Sequence, residues 1–281
     1  MIQRGALQVV SDKRRNKELP GIGSWLDLSG KVSVVTGGAR GMGKGIVKTL
    51  LDAGSQVVIV DRSFESPEWK EDADLIDMTH QIQVDITNEE LVKSAAEEIE
   101  REVGRVSILV NCAGVIYKDL IVNTDFEQWR KVLEVNTTGP ATCIKAFAPG
   151  MKEQRWGRIV NISSVQAYLA TPTYGAYGAS KAALSQLTKI WAMELAPFNI
   201  TVNALCPSYV DTPMMDMAVD KLSAAKGISK GEALDELLLP IPLHRLIKPE
   251  EIGFWVTVMC SDSASGLTGA NLAVSCGWVM H

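Results

Sequence analysis

Tyr177 and Lys181 stand four residues apart in a segment, 175–196, whose apolar spacing predicts a long helix. At that separation both side chains project from one face, one turn apart. A tyrosine of ordinary pKa, about 10, exchanges protons poorly at neutral pH, and an ammonium beside it stabilises the phenolate and lowers that value. The pair is therefore expected to serve as general acid towards a ketone and general base towards an alcohol. Tyr174, the nearest competitor, has the uncharged Gly178 four residues on and is expected to line a substrate pocket instead. Thirteen residues before Tyr177, at the end of a predicted strand over 158–163, lies Ser164. Its hydroxyl can hydrogen-bond the substrate oxygen that Tyr177 protonates, because ligands of open parallel sheets bind at the carboxyl ends of strands. Ser163 is the alternative at that strand end.

A second group of residues suits a dinucleotide. Thr36-Gly37-Gly38-Ala39-Arg40-Gly41-Met42-Gly43 follows a predicted strand, Val32–Thr36, and opens a predicted helix over 44–53. A glycine-rich turn there lets backbone approach a pyrophosphate, and the helix start offers free N–H groups and a positive dipole end. The next predicted strand ends at Asp61, 24 residues past Gly37, about where a carboxylate accepts from the adenosine ribose hydroxyls and repels a 2′-phosphate. That favours NAD over NADP, although Arg40 or Arg62 could pair with such a phosphate. Asp85 and Ile86, after a third predicted strand over 80–85, border the expected adenine position; a strand-end aspartate capping the turn into Thr87-Asn88 is the competing reading.

The elements that must position these groups alternate along the chain: a helix over 89–103, strands over 107–111, 158–163 and 200–205, the long helix over 175–196, and a last strand near 271–275. In the helix over 89–103, Leu91, Ala95 and Ile99 form an expected apolar stripe. Strands alternating with helices imply right-handed crossovers and a doubly wound parallel β-sheet with helices on both faces, an α/β fold of the Rossmann type. Residues 26–281 read as one domain, and the basic residues 1–25 as a tail or arm that packs on the domain or a neighbouring subunit. The net charge of -5 and the lack of clustered basic and aromatic residues argue against a nucleic-acid partner. Apolar runs are strand-sized rather than membrane-spanning. The five scattered cysteines fit a reducing compartment, and the three separated histidines give no metal site.

Taken with Asn111-Cys112-Ala113-Gly114 and Tyr177-Gly178-Ala179-Ser180-Lys181, the Thr-Gly-x-x-x-Gly-x-Gly turn resembles the short-chain dehydrogenase/reductase family of the classical type, over about residues 26–281. The resemblance implies a catalytic tetrad of Asn136, Ser164, Tyr177 and Lys181, in which Asn136 holds a water that links the lysine to solvent; local bonding of Asn136 to backbone remains open beside it. It implies cofactor contacts from Gly37, Arg40, Gly41, Met42, Gly43, Asp61, Arg62, Asp85, Ile86, Asn111, Ala113, Gly114, Tyr177 and Lys181, and from Pro207, Val210 and Thr212 in a loop at the nicotinamide.

Three departures from the pattern stand out: Cys112 for a second asparagine, Ser208 for a glycine after Pro207, and Ser275-Cys276-Gly277 for Asp-Gly-Gly. At 208 a different turn or a strained serine is expected.

Residues 213–243 are expected to form a lid, similar to that of members acting on polyols, sugars and hydroxy acids, with Ser164, Gln166, Tyr174 and Tyr209 contacting substrate. Ile116 and Gln166 stand where the 3-hydroxybutyrate subgroup carries a glutamine and a histidine, which weakens that assignment. Met214, Met215 and Met217 pull towards a larger apolar ligand. The expectation is thus a cytoplasmic, homotetrameric, NAD-dependent enzyme interconverting a small polar secondary alcohol and its ketone. The alternatives are a reductase of 3-oxoacyl or steroid-type substrates and a dinucleotide-binding regulator without chemistry, against which the intact tetrad speaks.

Overall fold

The computed structural model describes residues 25–280; the expected tail, apart from Trp25, lies outside them. Seven strands, β1 (Val32–Thr36), β2 (Gln56–Asp61), β3 (Thr79–Gln83), β4 (Val106–Asn111), β5 (Gly157–Ile162), β6 (Ile200–Pro207) and β7 (Asn271–Val274), form one sheet in the order β3-β2-β1-β4-β5-β6-β7. Every pairing is parallel. The helices are α1 (Gly41–Asp52), α2 (Pro67–Lys70), α3 (Ala73–Met78), α4 (Glu89–Glu102), α5 (Phe126–Leu133), α6 (Gly139–Gln154), α7 (Gly175–Leu195), α8 (Pro213–Lys226), α9 (Lys230–Leu238) and α10 (Pro249–Cys260). This is the doubly wound α/β architecture expected from the alternation of elements. Among the described residues no helix is long and apolar enough to cross a membrane.

The pleat explains why the central strands are apolar without interruption. Successive side chains of β1 point to opposite faces, so Val35 joins a core formed with α1 and α10, while Val32 and Val34 join one formed with α4, α6 and the end of α7. Both faces are covered, and VSVVT is buried at every position. Each such valine or isoleucine contributes about 1.5–3 kcal/mol by leaving water.

The stripe expected on α4 is displaced by one residue. Val92, Ala95 and Ile99 are buried, whereas Leu91 is exposed. At about 100° per residue, positions 92, 95 and 99 converge on the sheet and 91 lies on the shoulder.

The order reverses between β1, which leads out to β2 and β3, and β4, which leads the other way. The crevice at that switch point lies at the carboxyl ends of the strands, where doubly wound sheets bind ligands. Gly37, Asp61, Asn111, Ser164 and Pro207 all fall at or just beyond such an end.

Candidate active site

Gly37 leaves β1 with φ +69°, and its N–H donates to the Val60 carbonyl at 2.8 Å. A Cβ on Gly37 would stand 2.7 Å from the Ala113 Cα, and one on Gly43 would stand 2.0 Å from the Gly37 carbonyl oxygen. Only glycine lets the turn fold this tightly onto α1. No side chain caps α1, and its first turn carries no acid, so its leading N–H groups remain available to an anion. Across the cradle, the Thr212 methyl is 3.4 Å from where a Gly41 Cβ would be. At the end of β2, Asp61 accepts from the Ala39 N–H at 3.1 Å and the Ser63 N–H at 3.2 Å, which fixes its carboxylate beside the turn. An uncapped helix start, a cradle without side chains and a carboxylate held at the next strand end fit a dinucleotide.

Other residues expected at the cofactor act through backbone or through packing. Asn111 donates from Nδ2 to the Asn161 Oδ1 at 2.9 Å, bracing β4 against β5, and Thr36 Oγ1 accepts from the Cys112 and Ala113 N–H groups. Asp85 takes the capping geometry: it accepts from the Thr87 N–H and hydroxyl at 3.0 and 2.7 Å, and these two bonds hold its carboxyl below the usual range. Ile86 and Val210 are buried in the core, and Met42 packs against it. Arg40 and Arg62 are exposed. Gly114 lies between the catalytic pieces, since a Cβ there would stand 3.4 Å from Asn136 Oδ1 and 3.6 Å from Lys181 Nζ.

Asn136 is fully buried in a π-helical turn, Glu134–Thr138. Its Oδ1 accepts from the Val115 N–H at 2.8 Å, and its Nδ2 donates to the Val115 carbonyl at 2.9 Å and to Ser180 Oγ at 3.1 Å. The side chain thus clamps the loop after β4 to α7. Ser163 donates to the Lys181 carbonyl and exchanges a hydrogen bond with Ser185, so it is a brace for α7. Ser164 instead lies near enough to the Tyr177 phenol to favour its ionised form, and its oxygen accepts from the Gln166 N–H at 3.2 Å.

The proton affinities differ from the expectation. Burial pushes the Tyr177 phenol up to about 12, against the opposing influence of the nearby Ser164 hydroxyl, and burial lowers Lys181 to about 8. The ring keeps some exposure, but the hydroxyl is surrounded by protein. Lys181 donates to the Ile162 carbonyl at 2.8 Å, with Nζ 5.7 Å from the Tyr177 ring centroid. Desolvation therefore sets the Tyr177 value, in place of the lowering expected from a neighbouring ammonium. The same burial raises the nearby Cys112 thiol to about 12.

On the expected substrate side the Tyr174 and Tyr177 rings meet edge-on at 6.2 Å, and Tyr209 packs on Trp278 at 5.0 Å. Gln166 is buried, and its Oε1 has no partner. The segment expected as a lid contains α8 and α9, joined by an apolar cluster of Met215, Val219 and Ala233. Met215 belongs to that cluster, while Met214 and Met217 are exposed. Lys118, which the sequence pattern did not single out, places its Nζ 4.3 Å from the Tyr174 ring centroid; no spacing rule links it to Tyr174.

Of the alternatives expected at Ser208, the strained left-handed serine is absent, and the structure also places the 275–277 departure. Ser208 is not in the left-handed region, and its N–H donates to the Val274 carbonyl at 3.1 Å, just beyond the β6–β7 pairing. The positive φ falls instead at Cys276 (+51°) and Gly277 (+90°). There Ser275 Oγ closes a turn on Val279.

A doubly wound sheet with a glycine cradle at one side of its switch point and a serine, tyrosine and lysine at the other defines a dinucleotide-dependent oxidoreductase. The chain belongs to the short-chain dehydrogenase/reductase family. A family model described as enoyl-(acyl carrier protein) reductase matches residues 37–279. A 3-oxoacyl-[acyl-carrier-protein] reductase of Thermotoga maritima is 34% identical over 255 residues, 90% of this chain and 99% of the relative. A D-beta-hydroxybutyrate dehydrogenase of Rhizobium meliloti is 31% identical over 260 residues, 88% and 98% of the two chains. An NAD-dependent glycerol dehydrogenase of Listeria innocua is 32% identical over 256 residues, 90% and 96%. The crystal structure of gox2181 is similar at a TM-score of 0.82 and 30% identity, covering 91% of this chain and 98% of that one.

Proposed function

We propose that this oxidoreductase interconverts a small polar secondary alcohol, a polyol, sugar or hydroxy acid, and its ketone, with NAD as cofactor and Tyr177 as general acid and base. The arrangement that carries the proposal is the buried Ser164 hydroxyl at the end of β5 acting to lower the proton affinity of the Tyr177 phenol, with Lys181 buried beside them. The turn at 37–43 and the start of α1 would hold the pyrophosphate, Asp61 the adenosine ribose, and the backbone of 207–212 the nicotinamide end. Asp85, Ile86 and the loop of Asn111 to Gly114 would border the rest of the cofactor. When bound there, the nicotinamide supplies or accepts the hydride.

The chain's own residues handle the proton. A phenol held near 12 is protonated at neutral pH and donates to the carbonyl oxygen of a ketone as that oxygen gains charge. Ser164 donates a second hydrogen bond to the same oxygen. In the opposite direction the alcohol proton passes to the phenolate, and the positive field of Lys181 stabilises that anion. Asn136, through Val115 and Ser180, holds the two walls of the site in register, and a water on this turn would relay protons to Lys181.

NAD rather than NADP is favoured by the carboxylate of Asp61 beside the turn. Gln166, Tyr174 and Tyr209 supply polar contacts for a hydroxylated substrate, and a pocket built for hydrogen bonds rejects analogues that lack them. Reduction of a 3-oxoacyl group is the second reading, favoured by the likeness to the Thermotoga maritima and Aquifex aeolicus reductases. A screen at 340 nm across polyols, aldonates, hydroxybutyrate, diols, hydroxysteroids and 3-oxoacyl thioesters tests both. Turnover confined to thioesters or steroids would replace the polar-alcohol reading and leave the proton chemistry standing.

Assembly as a homotetramer with 222 symmetry, in the cytoplasm, is part of the same proposal. On α7 and α10, Leu184 and Met259 are buried, but Ile190, Phe254 and Trp255 remain exposed and available to a second copy.

A further inference from the structure

Lys118 lies in the loop after β4, and that loop is tied to the mouth of the Tyr177 site. The Asp119 N–H donates to the Thr173 carbonyl at 3.0 Å, and Asp119 and Tyr174 form a parallel bridge. Thr173 adopts φ +73° at this junction, a left-handed conformation that a β-branched residue rarely takes. Local strain of this kind persists where surrounding contacts impose it. Its consequence here is to hold Lys118 against the substrate side of Tyr174.

An exposed lysine ordinarily extends into water. Lys118 is exposed as a whole residue, yet its ammonium lies 4.3 Å from the Tyr174 ring centroid, where burial lowers its proton affinity, and that ring meets Tyr177 at 6.2 Å. The neighbouring carboxylate does not neutralise it. Asp119 accepts from the Tyr117 hydroxyl at 3.2 Å and from the Leu120 N–H at 2.8 Å, and no ion pair to Lys118 occurs among the described residues. The Tyr174 and Tyr209 phenols lie close enough to alter each other's proton affinity, so both hydroxyls stand near Lys118. One ammonium with no ion-pair partner among the described residues and one phenol therefore stand a ring's width from the general acid. Gln166, its buried Oε1 unpartnered, adds a group suited to a substrate hydroxyl.

We propose that Lys118, assisted by the Tyr174 hydroxyl, anchors a carboxylate on the substrate, so that the enzyme acts on hydroxy acids and their keto acids in preference to neutral polyols. This rests on the reading of Tyr177 as the proton donor, because the anchor is located by its distance from that group. A single ammonium with a neutral phenol matches a monoanionic carboxylate better than a phosphoryl dianion, which draws several cations or an arginine fork.

The test compares charged and neutral partners on the wild-type enzyme with saturating NAD⁺ or NADP⁺: lactate against 1,2-propanediol, 3-hydroxybutyrate against 1,3-butanediol, gluconate against sorbitol, with glycerol 3-phosphate as the phosphoryl arm. At least one acid is expected to exceed its neutral partner in kcat/KM by about tenfold to a hundredfold, mainly through KM, as a charge-assisted hydrogen bond provides. That ratio is expected to collapse in Lys118→Met and to survive in Lys118→Arg. Binding of the inert carboxylates malonate and oxamate to enzyme saturated with reduced cofactor, followed by calorimetry, is expected to weaken by about tenfold in Lys118→Met. Cofactor affinity measured on each variant certifies the fold.

A wild type that prefers the neutral partners or the phosphate ester, or that neither turns over nor binds any acid, overturns the anchor. An acid preference that survives Lys118→Met does the same. Carboxylate binding that depends on Lys118 in an enzyme inert towards every alcohol would keep the anchor and refute the alcohol-oxidation reading, so the two fail separately.

Discussion

Lys181 Nζ donates to the Ile162 carbonyl at 2.8 Å, while the Tyr177 ring centroid lies 5.7 Å from the same nitrogen. The lysine is thus anchored to the sheet, with its ammonium beside the tyrosine ring rather than hydrogen-bonded to the phenol. Since burial holds the phenol near 12 and the ammonium near 8, the protein alone is set to donate a proton rather than to take one.

Tyr177→Phe removes the donor and keeps the ring. Turnover is expected to fall by about a hundredfold to ten-thousandfold, the range for loss of general acid–base catalysis. Cofactor affinity, read by fluorescence, is expected to stay close to that of the wild type. Retained turnover would eliminate Tyr177 as the proton donor.

The lowered Lys181 gives ketone reduction a pH signature. Its charge is complete below about 8 and is lost as pH rises through that value, which weakens the field that favours proton release from Tyr177. A descending limb near pH 8 is expected in kcat/KM for reduction. In Lys181→Arg, whose guanidinium stays charged, the limb should move to higher pH whatever the absolute rate; an unmoved limb would assign it to another group.

Cofactor choice is expected to depend on Asp61. Asp61→Ser removes the carboxylate beside the turn and leaves Arg40 and Arg62 to meet a 2′-phosphate. The affinity ratio of NADPH to NADH should rise by about tenfold to a hundredfold. Tighter binding of NADPH by the wild type itself would show that the arginines already dominate.

Arg245 grips Glu251 with two hydrogen bonds of 2.7 and 2.8 Å, and the Lys248 N–H adds a third at 2.9 Å. The Arg245 guanidinium, then the Lys248 N–H, hold the Glu251 carboxyl at about 2. A carboxyl depressed on folding contributes stability above its ordinary value and loses it as pH falls from there through about 2. Both side chains are over a third exposed, so Glu251→Gln is expected to cost only about 1 kcal/mol. That corresponds to about 2 °C in Tm for a domain of this size. The difference should shrink in acid; a constant difference from neutral pH down to about pH 2 would show that the pair contributes no linked stability.

Light scattering at micromolar concentration tests the assembly, with a mass near four times 30.5 kDa expected. A monomer would leave Ile190, Phe254 and Trp255 without their proposed partner.

What the sequence by itself determined follows from spacing along one element or across one crossover. The limits of β1 and β2, the parallel winding, the glycine turn, and the placing of Ser164 and Tyr177 together at strand ends all follow from periodicity and from the rule that such sheets bind ligands at one edge. The tertiary structure alone decided what depends on neighbours distant in sequence. Val92 rather than Leu91 faces the sheet because of how α4 lies on it, and Ser208, which avoids the left-handed region, gives its N–H to Val274 across from β7. Asn136 is occupied by Val115 and Ser180, 21 and 44 residues away. Lys118 meets Tyr174 only because the loop after β4 pairs with the approach to α7. The direction of the Tyr177 shift belongs to the same class. A four-residue spacing announces an attractive charge, but desolvation is summed over every atom packed around the hydroxyl, and that sum exists only once the chain has folded.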